Sequence, residues 1–151
     1  MKLDQDHITA RKSWMGLLAK APAAELSALW GALGTSPTHR VLRAPEIGGV
    51  MVRGRAGAIG AAFNLGEMTV TRCSVALEDG TVGHAYVQGR DKGKATQAAL
   101  VDALMQTAAA AHVEQVILAP LRKAAAETKA KRAAKAAATK VDFFTMVRGE
   151  D

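Results

Sequence analysis

Apolar positions recur at helical spacing over residues 6–20, where Ile8, Trp14, Met15, Leu17 and Leu18 share one broad face and Arg11, Lys12 and Lys20 fall elsewhere. Pro22 then opens a second helical pattern at its first position. Glu25 lies in its first turn, Leu26, Leu29, Trp30 and Leu33 form its stripe, and Gly34 ends it. These predict a helical hairpin over 6–34. Such a pair cannot bury both apolar faces by itself, so it must lie on the rest of the chain or on another chain.

After Thr35, Ser36 and Pro37 the period shortens from helical to alternating. Residues 41–44, 49–55, 67–77 and 81–89 read as strands, the third rich in Thr and Val, and Glu78-Asp79-Gly80 supplies the tight turn between the last two. The expectation is an antiparallel sheet of about four strands within 40–89. Asp91 is the expected N-cap of a long helix over 92–112 with Leu100, Val101, Leu104 and Met105 as its packing stripe. Residues 115–140 are helix-prone again, with Pro120 as a break or restart. The predicted fold class is α+β in a single domain spanning 1–151: helical hairpin 6–34, sheet 40–89, helical region 91–140 and a short apolar tail 141–151.

Composition sharpens two points. The hydrophobic fraction of 49% contains much alanine, which favours helix and adds little apolar area, so the core should be thin in places. The chain has three phenylalanines, and two of them, Phe143 and Phe144, stand together in the tail. Burying one such ring is worth roughly 2–3 kcal/mol, so a receiving groove is expected for them. The helix before them, from Leu121 to Lys140, has no large apolar residue after Leu121 and reads as a strut presenting the tail.

Charge is similarly local. Residues 121–140 hold seven basic residues against Glu127 alone, an excess that equals the net charge of +6 for the whole chain. One basic surface is therefore expected, not a generally nucleic-acid-coating protein. No aromatic is interleaved with these lysines for base stacking, which argues against nucleic acid as a partner. Cys73 is alone, so neither an intramolecular disulfide nor a cysteine-held metal centre can form. No segment has the apolar length of a signal peptide core or of a membrane span, which predicts a soluble cytoplasmic protein with no membrane partner.

Candidate chemistry is sparse. Gly54, Gly57 and Gly60 are spaced by three, which matches neither a dinucleotide fingerprint nor a phosphate-binding P-loop and reads as a flexible sheet connection. Arg53 and Arg55 share a strand face and, with Arg72 and Arg90 on neighbouring elements, form a candidate anion-binding site. His7, His39, His84 and His112 are scattered without ligand spacing, Ser74 lacks the glycines of a nucleophile elbow, and Cys73 alternates mid-strand with Thr71 and Val75 as a small buried residue would. No catalytic residue and no metal or cofactor is predicted.

The segments ITARKSWMGLLAKA, GVMVRGRAGAIGAAFNLGEMTVTRCSVAL, GRDKGKA and TKVDFFTMVRGE, from about Ile8 to Glu150, resemble the PhnG family, the G subunit of the bacterial carbon–phosphorus lyase core complex. One departure is Ala62 before Phe63, where members tend to carry a proline. The resemblance implies a small subunit that assembles with subunits H, I and J and acts with the ATPase-like subunit L. Together they convert ATP and an alkylphosphonate to alpha-D-ribose 1-alkylphosphonate 5-triphosphate with release of adenine. It also implies that the reacting groups and the iron–sulfur cluster lie on other subunits, and it transfers no catalytic residue to this chain. Trp14, Phe143 and Phe144 are the expected interface residues, on a partner subunit or a second copy of this chain. The competing expectation is a phosphate- or nucleotide-binding protein, or an enzyme in its own right, working through Arg53, Arg55 and Arg72.

Overall fold

The computed structural model describes residues 2–141. The helical hairpin forms as α1 (Lys2–Lys20) and α2 (Ala23–Leu33), and Gly34 ends α2 in the left-handed conformation at φ 70°. Three strands follow, β1 (His39–Arg55), β2 (Ala62–Leu77) and β3 (Val82–Gln88), in one antiparallel sheet of order β1-β2-β3. Asp91 caps α3 (Lys92–Leu104) by accepting from the Lys94 backbone N–H at 2.8 Å. The chain then runs through α4 (Ala110–Val113), a π-helical turn at Glu114–Leu118, and α5 (Ala119–Ala138).

The sheet has three strands, which corrects the expected four. Residues 41–44 and 49–55 belong to one continuous strand, and Pro45 sits inside it. An edge strand can carry proline because its missing N–H faces away from the ladder, and the pairing accommodates it with register irregularities between Val41 and Glu46. The long helix expected over 92–112 likewise stops at Leu104. The Thr107 hydroxyl donates to the Leu104 carbonyl at 2.8 Å and accepts from the Ala109 N–H at 3.2 Å, a local bonding pattern that competes with helix continuation. The π turn then lets Val113, Ile117, Leu118 and Leu121 all point into the core.

Alanine turns out to set the layer spacing. The buried Ala95, Ala98, Ala99 and Ala103 form the sheet-facing side of α3. A Cβ at Gly83 on β3 would collide with the Ala99 carbonyl oxygen and the Ala103 nitrogen. Helix and strand thus approach backbone to backbone, and the larger side chains Leu18, Leu26, Val75, Val87, Ile117 and Leu118 fill the space around that contact. Lys94 is buried too. Its ammonium donates to the carbonyls of Ala19 at 3.0 Å and Gln88 at 3.4 Å, tying the end of α1 to the end of β3, and burial pulls its pKa down.

Candidate assembly surface

β3 pairs with β2 only from Val70 to Ala76, whereas β1 and β2 stay paired out to Arg55 and Ala62. Residues 48–55 and 62–69 therefore form a two-stranded arm beyond the helix-covered sheet, roughly 25 Å long at the usual rise per residue. Its tip is fixed locally: Gly57 takes φ 57°, and the Arg55 guanidinium donates to the Gly60 carbonyl at 3.0 Å. The Leu65 side chain lies across Gly54, where an added Cβ would displace it.

The arm and the strand leading to it are apolar where water should reach them. Seven of the ten exposed large apolar side chains among the described residues lie on β1, the tip or β2, including Met51 at 57%, Leu65 at 61% and Ile59 at 94% exposure. A lone two-stranded ribbon is marginal in water, and an apolar patch of this kind marks a contact surface.

The two sheet edges are treated differently. At β3, the Asp102 carboxylate accepts from the His84 backbone N–H, and the Val82 carbonyl accepts from Gln106 Nε2 at 2.9 Å and from Arg11 Nη2 at 3.4 Å. Side chains thus occupy groups another strand would need. β1 pairs with β2 on one side, and among the described residues its other side carries no strand. An edge of this length left open is a template for further pairing.

Asp102 is fully buried and accepts four bonds, from Arg11 Nε at 3.1 Å, Arg11 Nη2 at 2.7 Å, Trp14 Nε1 at 2.8 Å and His84 N at 2.9 Å. It joins α1, α3 and β3. Trp14 accordingly has its indole N–H inside the fold and its ring against the core, half-buried. Sequence reasoning missed this hub. The signal available was a single acid between Val101 and Ala103 on an otherwise apolar helix face.

The predicted anion-site arginines are spread out. Arg53 stands opposite Asn64 on the arm and Arg55 at the tip, while Arg72 lies eight residues further along β2, opposite Glu46. Eight strand residues correspond to roughly 26 Å. Glu46 bridges Arg72 and Arg43, and the hydrogen bond from Arg72 holds its carboxyl below the ordinary value. On the same open face the Ser74 hydroxyl and His84 Nδ1 are 2.8 Å apart, and among the described residues no acid touches the imidazole. Asp102 meets only the His84 backbone, so the nucleophile, base and orienting acid of a triad are not assembled. Cys73 is buried, which raises its thiol pKa and keeps it neutral. No cluster of metal-ligating side chains occurs among the described residues, and no described helix is long and apolar enough to cross a membrane. α5 keeps Leu121 buried, and nearly every later side chain to Ala138 is exposed, as a strut would be. Phe143 and Phe144 lie outside the described residues.

An apolar arm and a sheet edge left open among the described residues give a protein with surfaces suited to assembly. The profile of the family described as Phosphonate metabolism protein PhnG matches residues 9–149, and the chain belongs to that family. It is 48% identical over 149 residues, 98% of this chain and 95% of the relative, to the alpha-D-ribose 1-methylphosphonate 5-triphosphate synthase subunit PhnG of Rhizobium meliloti (strain 1021).

Proposed function

We infer that this chain is a subunit of an alpha-D-ribose 1-methylphosphonate 5-triphosphate synthase and serves phosphonate catabolism as part of that complex. The observation that carries the assembly role is the apolar arm of residues 48–55 and 62–69, whose exposed Met51, Phe63 and Leu65 need a partner surface.

In the finer reading the partners are subunits H, I and J, with L acting alongside them in the cytoplasm. The complex joins ATP and an alkylphosphonate with release of adenine. The reacting groups come from the partners, in keeping with the ungathered Ser74, His84 and Cys73 here. Phe143 and Phe144 act as anchors beyond the exposed α5, with Trp14 bracing the hairpin beside the interface.

The test is affinity purification of the tagged chain from its phosphate-starved host, with co-purifying proteins identified by mass spectrometry. Recovery of synthase subunits in fixed ratio is expected. Recovery of the chain alone, stable and discrete in size, would overturn the reading.

A further inference from the structure

A groove of about 590 Å³ opens between the junction of α1 and α2 and one flank of α5. On the α5 side Leu121, Ala125, Thr128 and Arg132 follow one another at spacings of four, three and four, a single stripe over three turns, roughly 16 Å long. Leu17, Ala21 and Pro22 face them. The floor is apolar and shallow, since beyond Leu121 the α5 stripe offers only alanine and threonine until Arg132.

The rim is cationic. Lys20, Lys129 and Arg132 border the groove and carry no ion pair among the described residues. Arg122 is engaged by Glu114, and Glu25 is the groove's one acid. The segment forming this wall also holds the chain's whole positive excess. A helix that contributes so little to its own fold, yet aligns small side chains beneath unpaired cations, has the features of one wall of a helix-receiving groove.

We propose that this groove receives an acidic amphipathic helix of another subunit of the same assembly. Its apolar stripe rests on Leu17, Ala21, Leu121 and Ala125, and its carboxylates meet Lys20, Lys129 and Arg132. The proposal rests on the reading of the chain as a synthase subunit. A nucleic-acid strand fits less well, because an apolar floor offers its sugar–phosphate backbone nothing and no aromatic lines the groove for stacking.

The experiment replaces Thr128 with a photo-crosslinking amino acid in the tagged full chain, expressed in its phosphate-starved host, and maps the crosslinks by mass spectrometry. A K20E/K129E/R132E variant is purified in parallel. Crosslinks to a partner-subunit helix with acids three or four residues apart are expected. The reversal should weaken recovery of that subunit at least tenfold at low salt, while the isolated variant keeps its helical circular dichroism and melting behaviour. Crosslinks to nucleic acid, to a second copy of this chain or to a non-acidic segment would overturn the proposal. So would full recovery of every subunit by the reversal variant. If the unaltered chain purifies without any synthase subunit, the proposed function itself fails and this inference fails with it; if the unaltered chain recovers them and the reversal variant does too, only the groove assignment falls.

Discussion

Asp102 Oδ2 lies 2.9 Å from the backbone nitrogen of His84, so a helix carboxylate takes the hydrogen bond that a neighbouring strand would otherwise make. The same carboxylate holds Arg11 and Trp14 of α1. One buried acid therefore fixes the hairpin to the sheet and closes a sheet edge.

Replacing Asp102 with Ala strands the Trp14 and His84 donors and leaves Arg11 unpaired. Arg11 is 34% exposed and can rehydrate, so the expected loss is about 2–4 kcal/mol, not the larger figure for a fully enclosed pair. Urea unfolding of the D102A chain checks this. A loss under about 0.5 kcal/mol, the usual range for a surface change, would show that the hub does not stabilise the fold.

Gly83→Ala should be costlier than its size suggests. The new Cβ meets backbone atoms of Ala99 and Ala103, and neither can turn away as a side chain would. Separating α3 from β3 is expected to cost about 3 kcal/mol or more, or to prevent folding. Thermal unfolding followed by circular dichroism reads it, with Gly66→Ala, where nothing lies near, as the control for glycine replacement.

Met51→Ser and Leu65→Ser together test the arm. Both side chains are more than half exposed, so the isolated chain should lose no more than about 0.5 kcal/mol. Recovery of partner subunits should fall at least tenfold, a change of about 1.4 kcal/mol. An unchanged yield of complex would show that the arm faces water in the assembly.

Acid should weaken two ion pairs. Glu46 is held below its ordinary value by its hydrogen bond from Arg72, and Glu114 by its hydrogen bond from Arg122. A carboxyl depressed in the folded state contributes stability that is present above the ordinary value of 4.5 and lost as pH falls through the folded value. Lys94 is depressed by burial, so its share of stability rises as pH climbs through its folded value toward 10.5. The melting temperature should thus be flat near neutrality and fall on the acid side. In the E46Q/E114Q variant the acid-side fall should be shallower; an identical fall would exclude these pairs as its source.

Legibility in the sequence followed the range of the interactions. Gly34 at a helix end, Asp91 as a cap and Asp79-Gly80 as a turn act within a few residues, and each is where local chemistry put it. The KVDFFT and FNLGE segments likewise carried the family resemblance as contiguous text. The continuity of β1 through Pro45 was not legible because a proline's tolerance in a strand depends on which side of that strand is unpaired, a property of the assembled sheet. The Asp102 hub was hidden because Arg11 is 91 residues away in sequence. The arm was hidden for a different reason: its residues alternate like those of a covered strand, and only the shortness of β3 reveals that no third strand among the described residues runs beside them.

The unequal sheet edges bear on how a cell must handle this chain. With β3 closed by side chains and β1 open among the described residues along Val41, Leu42, Ile47 and Met51, a surplus copy has one sticky border, blunted only around Pro45 and the charged Arg43 and Glu46. Synthesis in step with the partners that cover that border would keep it out of inclusion bodies, and a copy left over after assembly would be a natural substrate for proteolytic clearance.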